Sequence, residues 1–299
     1  MDAARDMATF QVLARMGTIS AAAHELGVAP SAVSRRLKAL EARLGIELVR
    51  RTTRAMVLTP AGEAYLAKAT ELLRSIDALE EEMRDEALGA SGQIRLAAPM
   101  SFGLSSLVEP IDQFLKQHPN ISLDIDLRDA TVDLVKDGFD LALRIGDLPP
   151  STLIAKKLCD VPSVTCASPD FIKRHGPFHA PQDLEGLPGL AYVNRARNDM
   201  LDWVDADGNT GKVQLQKTIS ANNGDILTEL AAAGHGVYWA PQFLMQNRMD
   251  SGELISLFPD LRWPTTGLHA LWPPTGHLAQ RVRLLIDFLA TSFSGSPKA

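Results

Sequence analysis

Apolar positions in the first sixty residues fall into short helical stripes. Phe10, Val12, Leu13 and Met16 mark one face of a helix that Gly17 ends as a C-cap. A second helix over 21–26 follows, capped by Thr18 or Ser20 and stopped by Gly27. Pro30 suits the first turn of a third helix, where its missing N–H has no partner to lose. That helix runs from about Ser31 to Leu44, with Val33, Leu37, Leu40 and Leu44 at spacings of 4, 3 and 4. Ser31, Ser34, Arg35 and Lys38 fall largely on the opposite side. Two short helices joined by a Gly-containing turn, the second with a polar basic face, predict a DNA-binding helix-turn-helix. After Gly45, residues 47–59 read as two short strands around a basic turn, which is a wing. Thr59 and Pro60 then restart a helix as cap and first residue.

From Pro60 onward Tyr65, Ala69, Leu72, Ile76, Leu79 and Met83 recur at 4, 3, 4, 3 and 4, a heptad seam flanked by glutamates. Such a stripe can be buried on its own domain or between two chains. Nearly every other position between Leu73 and Glu86 is polar or small, which favours a helix pair linking two DNA-binding heads. The helix ends in Leu88-Gly89-Ala90-Ser91-Gly92, a flexible composition.

Beyond Gly92 the pattern changes to strands alternating with helices, an α/β fold. Strands are expected over 93–98, 121–127 and 139–145, helices over 104–117 and 132–136, and a last amphipathic helix over 277–293. In such sheets ligands sit at the carboxyl ends of strands, against helix N-termini that favour anions. The loops at 99–103, 129–131 and 144–147 are placed that way. A second α/β lobe follows, and the chain returns near 267–272, so two passages imply a hinged cleft. The expected layout is a winged helix-turn-helix over 1–59, a linker helix over 60–88, a hinge at 89–92 and a sensing domain over 93–299. Its first lobe comprises about 93–163 and 267–299, its second about 164–266.

The net charge of -6 argues against a nucleic-acid partner only if it is spread evenly. Residues 28–60 hold seven bases (Arg35, Arg36, Lys38, Arg43, Arg50, Arg51 and Arg54) against two acids, whereas residues 61–89 hold three bases against eight acids. A basic island still attracts a polyanion, because fields decay within a Debye length of about 8 Å at physiological salt. Any one of these arginines alone is an ordinary surface charge. Clustered over a helix-turn-helix and wing, they point to double-stranded DNA.

Residues 19–66, "ISAAAHELGVAPSAVSRRLKALEARLGIELVRRTTRAMVLTPAGEAYL", closely resemble the signature of the LysR-type transcription regulators. Further stretches, "GQIRLAAPMSFG", "VDLVKDGFDLALRIGDL", "CASPDF" and "AAAGHGVYWAP", extend the likeness over essentially the whole chain, particularly to the CrgA-like subgroup. The resemblance implies that the third helix enters the major groove and the wing rides the backbone. It also implies a two-lobed effector domain with the fold of periplasmic solute-binding proteins, and a homodimer or homotetramer. Ala29 stands where the family usually has Ser or Thr, removing about 1 kcal/mol of capping. Pro30 stands where many members carry Gln, so base reading falls more heavily on Ser31, Ser34, Arg35 and Lys38.

By resemblance, Ser101, Phe102, Thr131, Arg144, Cys166 and Asn223 lie around the effector cleft. Ser101 and Thr131 also suit helix caps, and Asn223 suits the cap of a helix near Asp225. Arg144, ending an apolar strand, needs either a counter-ion such as Asp129 or Asp147, or an anionic ligand. Arg195 and Arg197 are weaker cleft candidates. A small polar or anionic metabolite is the expected effector. Cys159 and Cys166 flank an expected hairpin turn over 160–163; a peroxide-sensing dithiol and plain apolar packing both fit them.

No metal motif, phosphate loop, nucleophile elbow or dinucleotide fingerprint is present, so neither an enzyme nor a bound cofactor is expected. No apolar run approaches the roughly 18 residues of a membrane span, and the N-terminus lacks a signal-peptide pattern. The expected place is the cytoplasm. An exported solute-binding protein would explain the back two-thirds and leave the basic N-terminal island without purpose.

Overall fold

The computed structural model describes residues 3–51, 56–88, 90–130, 132–195, 198–274 and 278–294. The chain divides into two compact units. One is built from the N-terminal 89 residues with 133–138 and 275–280, the other from the remainder.

In the first unit α1 (Ala3–Met16), α2 (Ile19–Glu25) and α3 (Pro30–Leu44) close around Phe10, Leu13, Ala22, Ala23, Val33, Leu37 and Leu40. Thr18 caps α2 by accepting the Ala21 N–H at 3.2 Å, whereas Ala29 gives α3 no side-chain cap. α3 stops at Gly45, whose φ of 71° is the left-handed conformation that glycine adopts without penalty. The wing is β1 (Val49–Arg51) against β2 (Met56–Leu58), antiparallel, with Val49 opposite Leu58 and Arg50 opposite Val57.

Thr59 caps α4 (Pro60–Leu88), accepting the Gly62 N–H at 3.0 Å and donating to the Glu47 carbonyl at 2.7 Å. Gly62 is obligatory for contact rather than conformation, since a Cβ there would lie 2.0 Å from the Leu48 carbonyl oxygen. The start of α4 is bound to α1: Tyr65 packs edge-on to Phe10 at 5.4 Å, Gln11 donates to Thr70 at 3.3 Å, and Ala69 is buried. A further short helix of this unit, α7 (Leu134–Asp137), is capped by Asp133.

The second unit holds two five-stranded sheets. One has the order β4-β3-β5-β14-β6, from β3 (Gly92–Ala98), β4 (Ile121–Leu127), β5 (Leu141–Ile145), β6 (Ile154–Val161) and β14 (Thr266–Trp272). The other has the order β11-β8-β12-β7-β13, from β7 (Ser163–Ala167), β8 (Pro188–Tyr192), β11 (Gln216–Ala221), β12 (Val237–Pro241) and β13 (Ile255–Ser256). A hairpin of β9 (Met200–Val204) and β10 (Thr210–Gln214) stands beside it. The helices are α5 (Met100–Phe102), which runs through a π-helical turn (Gly103–Leu107) into α6 (Val108–Gln117), then α8 (Pro169–His175), α9 (Gly224–Ala232), α10 (Gln242–Asp250) and α11 (Gln280–Ser294).

The hairpin expected between the cysteines does not form. Only Pro162 separates β6 from β7, yet β6 pairs with β14 in one sheet and β7 with β12 and β13 in the other. That single residue is a passage between sheets, so Cys159 and Cys166 belong to different sheets and both thiols are free. The helix expected from Leu104 begins earlier, at Met100, and the short one expected from Val132 begins at Leu134.

Candidate DNA-binding face and effector cleft

On α3 the side chains of Ser31, Arg35 and Lys38 are exposed and Ser34 is partly so, while Val33, Leu37 and Leu40 fill the core. Arg50 is exposed on β1. Arg36, partly exposed, donates from Nη1 to Thr9 Oγ1 at 3.2 Å, spanning α3 and α1. Arg54 and the side chain of Arg51 lie outside the described residues. Glu41, overlooked in the sequence because it is an acid in a basic stretch, accepts the Leu48 N–H at 2.8 Å and the Val49 N–H at 3.3 Å.

The linker stripe divides in two. Tyr65, partly buried, packs against the core of the DNA-binding head, and Ala69 is buried. Leu72, Ile76 and Leu79 remain 50%, 40% and 60% exposed. The side chain of Met83 lies outside the described residues.

Between the two sheets, loops from the carboxyl ends of β3 and β4 meet loops that follow β8 and β11. Asp129 is the centre. One carboxylate oxygen accepts the Met100 N–H at 3.0 Å, the other accepts the Asn223 amide at 3.3 Å, and its carbonyl accepts the Asn194 amide at 3.1 Å. Ser101 donates to the Asp225 carboxylate at 2.7 Å. Asn223 also caps α9, accepting the N–H groups of Asp225 and Ile226 at 3.1 and 3.2 Å. Its cap role and its bond to Asp129 therefore coexist. Ser101 caps nothing, since Pro99 occupies the cap position of α5.

Arg144 Nη2 donates to the Ala130 carbonyl at 2.9 Å. Burial lowers its pKa from the usual arginine value, and Tyr192 and Asp129 oppose that shift. The Arg195 guanidinium lies over the Trp239 ring, 3.0 Å from its centroid, and burial pushes its pKa down to about 10.

Two of the expected cleft residues are fully buried among apolar side chains. Phe102 is fully buried against Phe243 and Phe293, at 5.8 and 5.5 Å. Cys166 is fully buried in a cluster with Leu190, Leu227, Tyr238 and Met245, its sulfur 3.6 Å from that of Met249. Thr131 and Arg197 lie outside the described residues. Which side chain of a segment faces outward depends on tertiary packing that a motif does not encode.

Two family models account for nearly the whole chain: residues 4–63 match the bacterial regulatory helix-turn-helix protein, lysR family, and residues 87–294 match the LysR substrate binding domain. The chain belongs to the LysR family. This LysR-family regulator is 31% identical to the HTH-type transcriptional regulator CrgA of Neisseria meningitidis serogroup C, over 95% of each chain. It is 32% identical to the regulator PtxR of Pseudomonas aeruginosa, over 96% of this chain and 92% of that protein. The solved structure of CrgA superposes with a TM-score of 0.60 at 29% identity, covering 97% of this chain and 99% of that one.

As a LysR-family protein it is a transcription regulator with a DNA-binding and an effector-binding domain, not an enzyme. LysR regulators bind DNA and small-molecule effectors and form oligomers. Among the described residues no helix is long and apolar enough to cross a membrane.

Proposed function

We propose that this regulator reads two related DNA half-sites as a homodimer, or as a homotetramer of two such pairs, and answers to a small polar or anionic metabolite held between its two sheets. Pairing runs along Leu72, Ile76 and Leu79, an apolar stripe left open on a helix whose first turns are anchored in the DNA-binding head. Ser31, Ser34, Arg35 and Lys38 face base edges, and Arg50, Arg51 and Arg54 follow the phosphates. Arg36 gives one of its N–H groups to Thr9, which favours a structural role beside any phosphate contact. The cytoplasm is where such a protein meets both DNA and metabolite.

One observation carries the sensing half of this reading: the bonds Ser101–Asp225 and Asn223–Asp129 each join the two sheets. With Arg144 beside them, they bring donors and acceptors of both sheets to one seam. A molecule that replaces these bonds favours one arrangement of the sheets only by its differential affinity; a tenfold preference shifts the balance by about 1.4 kcal/mol. Footprinting of the DNA upstream of the gene, with and without candidate metabolites, tests the reading. An effector-dependent change in the protected region is expected. An identical footprint with every polar or anionic metabolite that binds the protein counts against it.

A further inference from the structure

Arg195 and Trp239 form an arrangement that the helix-terminus picture of the cleft does not use. The guanidinium rests on the indole ring at 3.0 Å, and among the described residues no acceptor takes its side-chain N–H groups. Asp202 and Asp147 attract it only from longer range. Its loop is pinned at the seam, because the preceding residue, Asn194, donates to the Asp129 carbonyl of the other sheet.

Behind the ring, several buried polar groups have no protein partner. Trp239 lies opposite the fully buried Thr165 in the β12–β7 ladder and shares a core cluster with Trp263. Trp239 Nε1, Trp263 Nε1 and Thr165 Oγ1 are all buried without a protein partner. Buried donors are satisfied in native proteins, so a missing acceptor is the informative feature. Arg144, by contrast, already gives an N–H to the Ala130 carbonyl and stands next to Asp129.

We propose that Arg195, supported on Trp239, receives the anionic group of the effector, and that this group is a carboxylate held bidentately by the guanidinium. The proposal rests on the cleft reading above. It narrows the ligand to a carboxylic acid and moves the charge contact from Arg144 to Arg195. An arginine on an aromatic face keeps its edge donors available, and their fork matches the two oxygens of a carboxylate. A phosphate dianion fits less well, since Asp147 and Asp202 lie in the field of the same single arginine.

The test uses full-length protein and the smallest probes that fit any such site: acetate, its neutral isostere acetamide, and inorganic phosphate, at constant ionic strength. The readout is the indole N–H resonance of Trp239, assigned by its loss in Trp239→Phe. Acetate is expected to shift this signal saturably, with an affinity about tenfold above that of acetamide. Arg195→Gln should abolish the preference, Arg195→Lys should restore part of it, and Arg144→Gln should leave it within a few-fold, with thermal unfolding and DNA retention confirming that each variant is folded. Equal response to acetate and acetamide, a preference that survives Arg195→Gln, or tighter binding of phosphate overturns the proposal. If the preference vanishes in Arg144→Gln and persists in Arg195→Gln, the anion sits at Arg144 and the cleft reading stands without this inference. If none of the three probes shifts any signal from the cleft, both fall.

Discussion

Glu41 Oε1 accepts the backbone N–H of Leu48 at 2.8 Å. Helix α3 thereby holds the first strand of the wing by its main chain, which ties the two elements proposed to meet DNA to each other. Glu41→Ala should lower stability by about 1–3 kcal/mol, because the N–H groups of Leu48 and Val49 lose their acceptor. It should also weaken cognate and random DNA together. Glu41→Gln keeps an acceptor oxygen and should recover most of both. Chemical denaturation and filter retention of the two variants measure this; an unchanged denaturation midpoint in Glu41→Ala would show that the wing is held by other contacts.

Arg35 and Arg36 are neighbours with opposite expected behaviour. Arg35→Ala should cost about 1–3 kcal/mol on the cognate site and relax specificity at one base position. Arg36→Ala should leave the ratio of cognate to random binding unchanged and lower the stability of the head by about 0.5–1.5 kcal/mol, the worth of its bond to Thr9. Salt titrations on both DNAs separate the cases, and equal losses on both DNAs for Arg35→Ala would remove it from the base-reading set.

Much of this first unit was legible because its signals are local. Thr18, Gly45, Thr59 and Pro60 each act within one turn, and Val33, Leu37 and Leu40 repeat with the helical period. The bond from Arg36 to Thr9 gave no sequence signal, because its partner belongs to another helix. The sensing domain shows the same limit more sharply. Asp160-Val161-Pro162-Ser163 has the composition of a turn, and only the pairing of β6 with β14 and of β7 with β12 reveals a passage between sheets. Trp239 gives no hint in sequence of the arginine that lies on it.

Replacing Ile76 with Asp should break the chain-to-chain contact along α4. A carboxylate buried there without a partner costs about 3–5 kcal/mol. Sedimentation should show a smaller species and DNA retention should fall. A variant that sediments and binds like the parent would place the seam elsewhere.

Burial pushes the Cys166 thiol up to about 12 from an ordinary 9.0. Between these values the native chain keeps a proton that the unfolded chain releases, so stability falls as pH rises, by up to about 1.4 kcal/mol per pH unit. Tyr192 and Tyr238, also raised by burial, act in the same direction at higher pH. Denaturation midpoints at about pH 8 and about pH 10.5 should differ less in Cys166→Ala than in the parent. An equal difference would show that the thiol does not titrate in this range.

The place of β14 in the first sheet fixes an order of events during synthesis. It lies between β5 and β6, although it leaves the ribosome long after both. The core of the DNA-binding head closes within residues 10–69, from contacts near in sequence, and such structures form early and fast. The first sheet of the sensing domain keeps a gap at its middle until residues 266–272 arrive. A message cut short between β6 and β14 should therefore yield a fragment whose DNA-binding head is complete and whose sensing domain is not.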